Sequence, residues 1–255
     1  MLARQRHDLI LEMIRSQGSV RVRALADKLN VSDMTIRRDL DVLAGRNLVE
    51  KVHGGAAIVG NHTTFEPGFE AKRARQQDEK QRIAAAASTL VSPGSAIGLS
   101  AGTTTWALAQ LLLNVPDLTV VTNAPSTAHT LHQSNRSDQT IVLTGGVRTP
   151  SDALVGPLAT QALDRIHLDL LFLGVHGMDL DAGFTTPNLA EAEVNSAFLE
   201  SAEQVVVLAD HTKWRLRGLA RIAPLEGADM IISDDLLPSS ALKAFADLDV
   251  ELRLA

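Results

Sequence analysis

Cysteine is absent from this chain of 255 residues, and so are long runs of apolar residues. Without cysteine the chain can form no disulfide and perform no thiol chemistry. No apolar run is long enough to span a bilayer, and no apolar leader of the secretory type precedes the first predicted helix. These absences argue against a disulfide-rich secreted domain and against a membrane protein. We therefore expect a cytoplasmic protein with no membrane partner.

The charge that the chain carries is unevenly distributed. The net charge is −6, yet residues 1–58 carry +3 and the remainder of the chain carries −9. Apolar residues make up 45% of the sequence, which is enough for one substantial core and a smaller additional domain. We therefore predict a small basic domain at 1–58 and a larger acidic domain in the second part of the chain.

The stretch VSDMTIRRDL at 31–40 predicts a helix with one buried face and one basic face. Ile36 and Leu40 lie one turn apart and belong to the buried face, and the serine near the start of the stretch is a good N-cap. The other faces carry mostly polar groups, including two adjacent arginines. The candidate contacts to a nucleic acid are Ser32, Met34, Thr35, Arg37 and Arg38.

Two further helices are predicted before this one. Leu25 and Leu29 mark a short helix over 22–30 that Asn30 can end in a left-handed conformation, and a longer helix stops near Gly18. Three helices with a tight turn before the last one form a helix-turn-helix pattern, in which the last helix enters the major groove of DNA. On this pattern alone, DNA binding and a merely solvated arginine face both stay open.

A hairpin is predicted directly after the three helices. The segment NLVEKVHGGAAIV at 47–59 alternates in polarity around a Gly-Gly pair, which suits a β-hairpin wing. Such a wing would place Lys51 and His53 near the phosphate backbone of DNA. The strings TIRRDLDVL and VHGGA together resemble the N-terminal signature of the DeoR family of bacterial transcriptional regulators, a winged helix-turn-helix class. The resemblance implies that this domain binds double-stranded DNA.

A polar and charged segment separates the two domains. Residues 59–77 contain a Pro-Gly pair and several basic residues and are predicted to form a linker, so that the second domain spans 78–255. Lys72, Arg73 and Arg75 in this linker are interpreted as solvated, with a contact to the DNA backbone as the alternative.

Apolar strands alternate with helices from about residue 80 onward. Strands are predicted at 95–99, 118–122, 140–144, 169–175, 204–209 and 229–233, with helices at 78–91, 104–113, 125–133, 157–165 and 188–202. Strands this apolar, separated by helices, are typical of a mostly parallel sheet that is covered on both faces. The predicted fold class is therefore α/β, with an N-terminal winged helix-turn-helix domain and a C-terminal mostly parallel α/β domain.

Polar and glycine-containing loops follow five of these strands, at 100–105, 122–124, 144–146, 174–177 and 210–213. In a parallel sheet the carboxyl ends of the strands share one edge, so these loops should converge on one ligand crevice. The first loop, SAGTTT, combines a glycine, hydroxyl groups and the free amides of a helix start. This combination suits a phosphate, with a hydroxyl-capped turn as the alternative. No P-loop lysine follows, which favours a small phosphorylated molecule over a nucleoside triphosphate.

The candidate effector-binding residues come from these loops. Lys213 could supply a positive charge for a phosphate, and Asp210 could orient that lysine or bind a sugar hydroxyl. His176 could donate to a phosphate or titrate near neutral pH, although a lone loop histidine is more often structural. The predicted set is Ser100, Ala101, Gly102, Thr103, Thr104, Thr105, Thr122, Asn123, Gly145, Gly146, Gly174, His176, Gly177, Asp210 and Lys213.

This second domain also resembles the effector-sensing domain of DeoR-type regulators, which is related in fold to ribose-5-phosphate isomerase. The resemblance implies a phosphorylated sugar or polyol as effector, no cofactor, and a homo-oligomer, dimer or tetramer, that binds repeated half-sites. It further implies a repressor of carbohydrate or polyol genes that the effector releases from DNA. Ser100 stands where the family frequently has an aspartate, so we expect no carboxylate contact to sugar hydroxyls at that position.

The alternative function is catalysis, by a sugar-phosphate isomerase with an accessory N-terminal domain. Such an enzyme needs a general base beside the bound carbon, and the nearby acidic residues form no clear acid/base constellation in the sequence. Those residues are Asp179, Asp181, Glu191 and Glu193. We therefore predict a regulator that binds its ligand without turnover. We also predict no metal site, since the histidines of the helix at 125–133 have no acidic or cysteine partner beside them.

Overall fold

The structure of the chain is a computed structural model, which describes residues 3–17, 19–46, 48–52, 54–58, 63, 66, 68–248 and 250–255. The chain divides into two compact units, Met1–Phe65 and Glu66–Ala255. Across the described residues, no helix combines the length and the apolar character needed to cross a membrane. The first unit has one hydrophobic core and the second unit has two.

The first unit is a winged helix-turn-helix domain. Its core is aliphatic, and Ile36, Leu40 and Leu43 of the third helix are buried at the i, i+4, i+7 spacing of one helix face, against Ile10 and Ile14 of the first helix. Three short antiparallel strands form its sheet, in the order β1-β3-β2. The elements are α1 (Ala3–Gln17), β1 (Ser19–Arg21), α2 (Val22–Leu29), α3 (Asp33–Gly45), β2 (Val49–Val52) and β3 (Gly55–Ile58).

Two local signals set the turn before α3. Asn30 ends α2 in the left-handed conformation, at a φ of 51°, which a short polar side chain tolerates. Ser32 then caps α3, because its Oγ accepts a hydrogen bond from the Thr35 amide at 3.2 Å. The predicted helix-turn-helix is confirmed, down to the residues that form its turn.

Packing explains why the second residue of the Gly-Gly pair in the wing is glycine. A Cβ placed on Gly55 would lie 2.1 Å from the carbonyl oxygen of Val20, because β3 runs directly against β1 at this point. We expect Gly55→Ala to destabilise the first unit by about 1–3 kcal/mol, since one of the two backbones must move.

Gly45→Ala in α3 is the matched control for this substitution. Nothing lies within 4 Å of a Cβ placed on Gly45, and alanine is the better helix former, so we expect no loss of stability. Hydrogen exchange of the first-unit amides in the full chain measures both variants. A Gly55→Ala chain as well protected as the wild type would contradict the proposed clash.

The second unit is built around a seven-stranded sheet. Each pair of neighbouring strands in this sheet is parallel, in the order β15-β14-β12-β9-β4-β5-β6. The elements, with the label of each before its range, are α4 (Phe69–Arg73), α5 (Gln77–Ser88), β4 (Ala96–Leu99), α6 (Thr103–Leu111), β5 (Thr119–Thr122), α7 (Pro125–His132), β6 (Thr140–Leu143), β7 (Val147–Arg148), β8 (Leu154–Val155), α8 (Pro157–Leu163), β9 (Leu168–Gly174), β10 (Gly177–Asp179), β11 (Gly183–Thr186), α9 (Leu189–Glu200), β12 (Ala202–Leu208), β13 (Ala220–Ala223), β14 (Met230–Ser233), α10 (Ser239–Ala246) and β15 (Glu251–Leu254).

Alternate residues of the strands bury their side chains on opposite faces of this sheet. In β9, Leu170 and Phe172 join the hydrophobic cluster that includes α5 and α6, whereas Leu171 and Leu173 join the cluster that includes α8, α9 and α10. Helices on both faces explain why the strand is apolar at successive positions. The predicted α/β fold with a parallel sheet is confirmed.

Three sets of short strands were not predicted from the sequence. β10, β11 and β13 form a small antiparallel sheet, β7 and β8 form a two-stranded ribbon, and β15 is the edge strand of the main sheet beside β14. These strands are two to four residues long, too short for a periodic pattern to emerge from the sequence.

Candidate functional site

β4 is the topological switch point of the large sheet. β5, the next strand of this sheet in the chain, pairs with one side of β4, whereas β9 pairs with the other side. The loops that leave β4 and β9 therefore run in different directions and open a crevice at the carboxyl edge of the sheet, where sheets of this kind bind ligands. The loops after β5, β6 and β12 lie at the same edge, because all of these strands are parallel.

The loop after β4 is held in place by its own hydroxyl groups. Ser100 is fully buried, and its Oγ accepts a hydrogen bond from the Gly174 amide at 2.9 Å, which joins this loop to the one after β9. Thr105 Oγ1 donates to the carbonyl oxygen of Ser100 at 2.7 Å and lies 3.0 Å from that of Gly102. These side chains therefore fix the shape of the crevice, a role that the sequence could not separate from contact with a ligand.

The loop after β5 is fixed in a similar way. Thr122 Oγ1 donates to the carbonyl oxygen of Leu99 at 2.7 Å. Asn123 Oδ1 accepts from the Ala101 amide at 2.9 Å, and its Nδ2 donates to the carbonyl oxygen of Leu154 at 3.1 Å. Three loops are thus tied together by buried polar side chains, which preorganises the edge of the crevice.

The first turn of α6 is the part of this edge that stays available to a ligand. The amides of a first helical turn have no acceptor within the helix, and no side chain caps them here. Thr103 and Thr104 are buried, and their hydroxyls make no hydrogen bond within the described part of the chain. Free amides and hydroxyls at a helix start suit an anion such as a phosphate.

Two of the glycines predicted to line the pocket have no room for a side chain, because another part of the backbone lies close to them. A Cβ on Gly146 would lie 2.5 Å from the carbonyl oxygen of Val155, and one on Gly177 would lie 2.0 Å from that of Leu216. Gly145 has open space around it, and glycine is favoured there by its φ of 83° instead. The structure therefore explains Gly146 and Gly177 by packing, without reference to a ligand.

A 3-10 turn at His211–Lys213 follows β12 and carries the predicted cation. Asp210 caps this turn, because its Oδ1 accepts from the Thr212 amide at 3.0 Å. Burial opposes ionisation of Asp210, but the Lys213 charge and the Thr212 hydrogen bonds outweigh it, so the pKa of Asp210 is lowered. Lys213 is half-buried and acts electrostatically on His176 of the neighbouring loop.

His176 is a neutral imidazole near neutral pH. Burial lowers its pKa to about 4, and the charges of Lys213 and Lys72 contribute in the same direction. The interpretation that His176 titrates near neutral pH is therefore wrong, because the cationic form is disfavoured both by burial and by two neighbouring cations. Donation of a hydrogen bond from the neutral ring to an effector stays a prediction.

A buried carboxyl network interacts electrostatically with Lys72 and was not predicted from the sequence. Glu191 Oε1, on the first turn of α9, accepts from Thr149 Oγ1 at 2.6 Å and from Ser151 Oγ at 2.9 Å. Glu66 hydrogen-bonds to Ser151 and accepts from Asn188 Nδ2 at 3.2 Å. Burial, followed by the proximity of Glu66, raises the pKa of Glu191.

Part of the segment predicted as a linker packs against the second unit. The Phe69 amide donates to the carbonyl oxygen of Pro150 at 3.0 Å, and its ring meets Trp106 edge-on, with 6.0 Å between the ring centroids. The Arg73 guanidinium lies 5.3 Å from the centroid of the same indole. Sequence reasoning missed this segment because its composition is that of a linker and its partners are distant in the chain.

The predicted DNA-binding surface lies along α3. Met34 is 63% exposed, and Arg37 and Arg38 are exposed and form no ion pair with any residue in the described ranges. Thr35 is half-buried, and its hydroxyl shares a hydrogen bond of 2.9 Å with that of Ser32. The two guanidinium groups are therefore available to base edges or phosphates.

The wing contributes one described cation to this surface. Lys51 Nζ lies 2.5 Å from Asp41 Oδ1 of α3, and both side chains are more than half exposed. Such an exposed ion pair contributes little stability, so a DNA phosphate can compete for the lysine. The predicted contact His53 lies outside the described residues.

Three of the four acidic residues considered for catalysis have other partners, and the fourth, Glu193, is exposed. Asp179 accepts from Arg217 at 2.7 Å, and Asp181 accepts from the same guanidinium at 2.8 Å. Glu191 belongs to the buried carboxyl network. Searched over its described residues, the chain has no group of three or more histidine, cysteine or acidic side chains that could hold a metal ion.

Comparison with known proteins places the chain in a family. The chain matches the model of the DeoR-like helix-turn-helix domain at residues 6–62 and that of the DeoR C terminal sensor domain at residues 75–235. The glycerol-3-phosphate regulon repressor of Escherichia coli K12 is 31% identical over 251 residues, 98% of this chain and 98% of that protein. The HTH-type transcriptional regulator GlpR of Haloferax volcanii is 36% identical over 242 residues, 94% of this chain and 93% of that protein. Ribose 5-phosphate isomerase A from Methanocaldococcus jannaschii has a TM-score of 0.40 at 18% identity and covers 54% of each chain, a likeness too distant to bear on function.

Proposed function

The chain belongs to the DeoR family of transcriptional regulators, and from that premise we propose that it represses carbohydrate or polyol genes and is released from DNA by a phosphorylated effector. Membership of this family identifies a DNA-binding regulator and not an isomerase. The proposal therefore concerns the sign of the regulation, the effector and the oligomer. One similar repressor is named for glycerol 3-phosphate, which makes phosphate monoesters of small polyols and sugars the first effectors to test.

The observation that supports a phosphorylated effector is the combination of an anion-binding helix start and a half-buried lysine in the loops of one sheet edge. The first turn of α6 offers uncapped amides and the hydroxyls of Thr103 and Thr104. Lys213 adds a positive charge in a loop at that edge. Such donors are the groups that bind a phosphate monoester in proteins.

The proposal includes a homo-oligomer, dimer or tetramer, that acts on DNA in the cytoplasm and needs no cofactor. The basic excess of residues 1–58 is only +3, so a single DNA-binding unit would have a modest affinity. Two units held on repeated half-sites would bind more tightly through their combined contacts. An effector that favours an arrangement with a different half-site spacing would lower the affinity for DNA.

Thermal-shift measurements with a panel of phosphate monoesters of polyols and sugars test the effector proposal. A ligand that binds only the native state raises the melting temperature. We expect Lys213→Met to weaken the binding of the active compound about 10- to 100-fold, since a charge-assisted contact to phosphate is lost. Lys243→Met, at an exposed lysine of α10, is the charge-matched control and should bind normally.

The same compound should lower the affinity of the wild-type chain for its operator at fixed salt. A chain that binds no member of the panel, and whose operator affinity is unchanged by all of them, would contradict the effector proposal. If the DNA-bound chain activates transcription, only the proposed repression is contradicted, and the effector proposal is unaffected.

A further inference from the structure

Lys72 of α4 is a half-buried lysine that the proposed effector site does not yet use. Its ammonium makes no hydrogen bond or ion pair with any other described residue. Burial lowers its pKa, the charges of Glu191 and Glu66 act in the opposite direction, and Lys213 adds to the lowering. Lys72 therefore lies within electrostatic range of the carboxyl network and of the lysine proposed to bind phosphate.

The backbone that carries Lys72 is held firmly to the second unit. Lys80 is buried, and its Nζ donates to the carbonyl oxygen of Lys72, in the last turn of α4, at 2.5 Å and to that of Arg75, just after α4, at 2.6 Å. Phe69 and Arg73 contact the indole of Trp106 on α6. These contacts fix the position of α4, so the Lys72 ammonium can move only through rotations of its own side chain.

Lys72 belongs to a cluster of charged side chains. Four cationic side chains interact electrostatically with one another and with three carboxyl groups, while His176 stays neutral. The cations are Lys72, Arg75, Lys80 and Lys213, and the carboxyl groups are Glu66, Glu191 and Asp210. Lys72 and Lys213 repel each other electrostatically, and a bound anion would relieve that repulsion.

Glu66 and Lys72 stand at the start of the second unit. The first unit ends at Phe65, so Glu66 is the first residue of the second unit, and Lys72 follows six residues later. Glu66 is anchored to Ser151 and Asn188 and is stabilised by the charge of Lys72. A change at Lys72 thus acts on the residue at which the chain enters the second unit.

We propose that Lys72 is a second phosphate-binding cation of the effector site, and that the effector acts through it on Glu66, at the start of the second unit. The inference rests on the proposed function, because it concerns the same phosphorylated ligand. When the ammonium is shared with a phosphate, Glu66 loses part of its countercharge and its anchoring changes. The contacts of Glu66 within the second unit then differ between the free and the effector-bound chain.

The test compares Lys72→Met, which removes the charge, with Lys72→Arg, which keeps it, and with the exposed-lysine control Lys243→Met. The probes are inorganic phosphate, glycerol 3-phosphate and any panel compound that raises the melting temperature of the wild type. We expect calorimetry to give an affinity about 10- to 100-fold weaker for Lys72→Met. Lys72→Arg and Lys243→Met should bind within a few-fold of the wild type.

Hydrogen exchange over residues 66–80 gives the second readout. The probe should change the exchange of this segment in the wild type and in Lys72→Arg, but not in Lys72→Met at the same fractional saturation. If the wild type and Lys72→Met bind the probe with equal affinity, the inference is overturned, whatever the melting temperature of the variant. The proposed effector would be unaffected by that result. Failure of the wild type to bind any probe would overturn the proposed function as well.

Discussion

Replacement of both Arg37 and Arg38 by alanine is expected to lower the affinity for operator DNA by a factor of about 30 to 20,000. An arginine that contacts a base edge or a phosphate contributes about 1–3 kcal/mol, so two together contribute about 2–6 kcal/mol. Both side chains are exposed and unpaired among the described residues. The substitutions should therefore leave the stability of the first unit unchanged, and the loss should appear in binding alone.

Fluorescence anisotropy measures this loss on DNA that the wild-type chain selects from a random pool. The two single variants show whether each arginine contacts a base or a phosphate. Loss of a phosphate contact lowers the slope of log affinity against log salt concentration by about one. Loss of a base contact instead weakens the discrimination between DNA sequences. Arg165→Ala, at an exposed arginine of the second unit, is the charge-matched control. Wild-type affinity of the double variant would contradict the assignment of the DNA-binding surface to α3.

Asp39→Ala is expected to destabilise the first unit by about 2–4 kcal/mol. Asp39 follows the arginine pair on α3 but is only 5% exposed. Its carboxylate accepts from Arg6 Nη2 at 3.0 Å and from His7 Nε2 at 2.9 Å, which joins α3 to α1. Loss of the carboxylate leaves a mostly buried guanidinium and imidazole without their partner, and this accounts for the large expected effect.

Asp41→Ala is the matched control on the same helix. Asp41 pairs with Lys51 at an exposed position, so its loss should cost less than about 1 kcal/mol. Hydrogen exchange of the first-unit amides in the full chain gives both values. Equal destabilisation by the two substitutions would show that the Asp39 network is no stronger than an ordinary surface pair.

The effect of Asp39→Ala should also depend on pH. Burial opposes ionisation of Asp39, but the hydrogen bonds from Arg6 and His7 outweigh it, so its pKa lies below that of an unfolded aspartate. The ion pair therefore stabilises the fold fully at pH values above the unfolded pKa, near 4, and this contribution disappears as the pH falls through the lower folded value. The difference in stability between the wild type and Asp39→Ala should shrink accordingly in acid.

Sequence reasoning succeeded where the signal is local. The turn at Asn30 and Ser32 depends on the conformational preferences of those two residues, and both take the predicted roles. Six of the seven strands of the large sheet are apolar runs that lie within a few residues of their predicted bounds, and only the edge strand β15 was missed. The crevice followed from a general property of parallel sheets, since loops after parallel strands share one edge.

The roles of individual polar residues could not be predicted in this way. Ser100, Thr105, Thr122 and Asn123 were expected to contact an effector, yet their hydrogen bonds run to backbone groups of their own loop or of adjacent segments. A hydroxyl or an amide beside a ligand has the same local sequence as one that ties two loops together. Only the positions of its partners distinguish the two roles.

By itself, the sequence determined that the chain has a helix-turn-helix with an exposed arginine pair and a parallel α/β sheet with a polar edge, because helical and strand periodicities are encoded within a few residues. Only the tertiary structure decided that Asp39 is buried and that Glu66 packs with two residues far along the chain. Glu66 meets Ser151 and Asn188, which follow it by 85 and 122 residues. Contacts over such separations arise only when the whole sheet is assembled, so no local pattern records them.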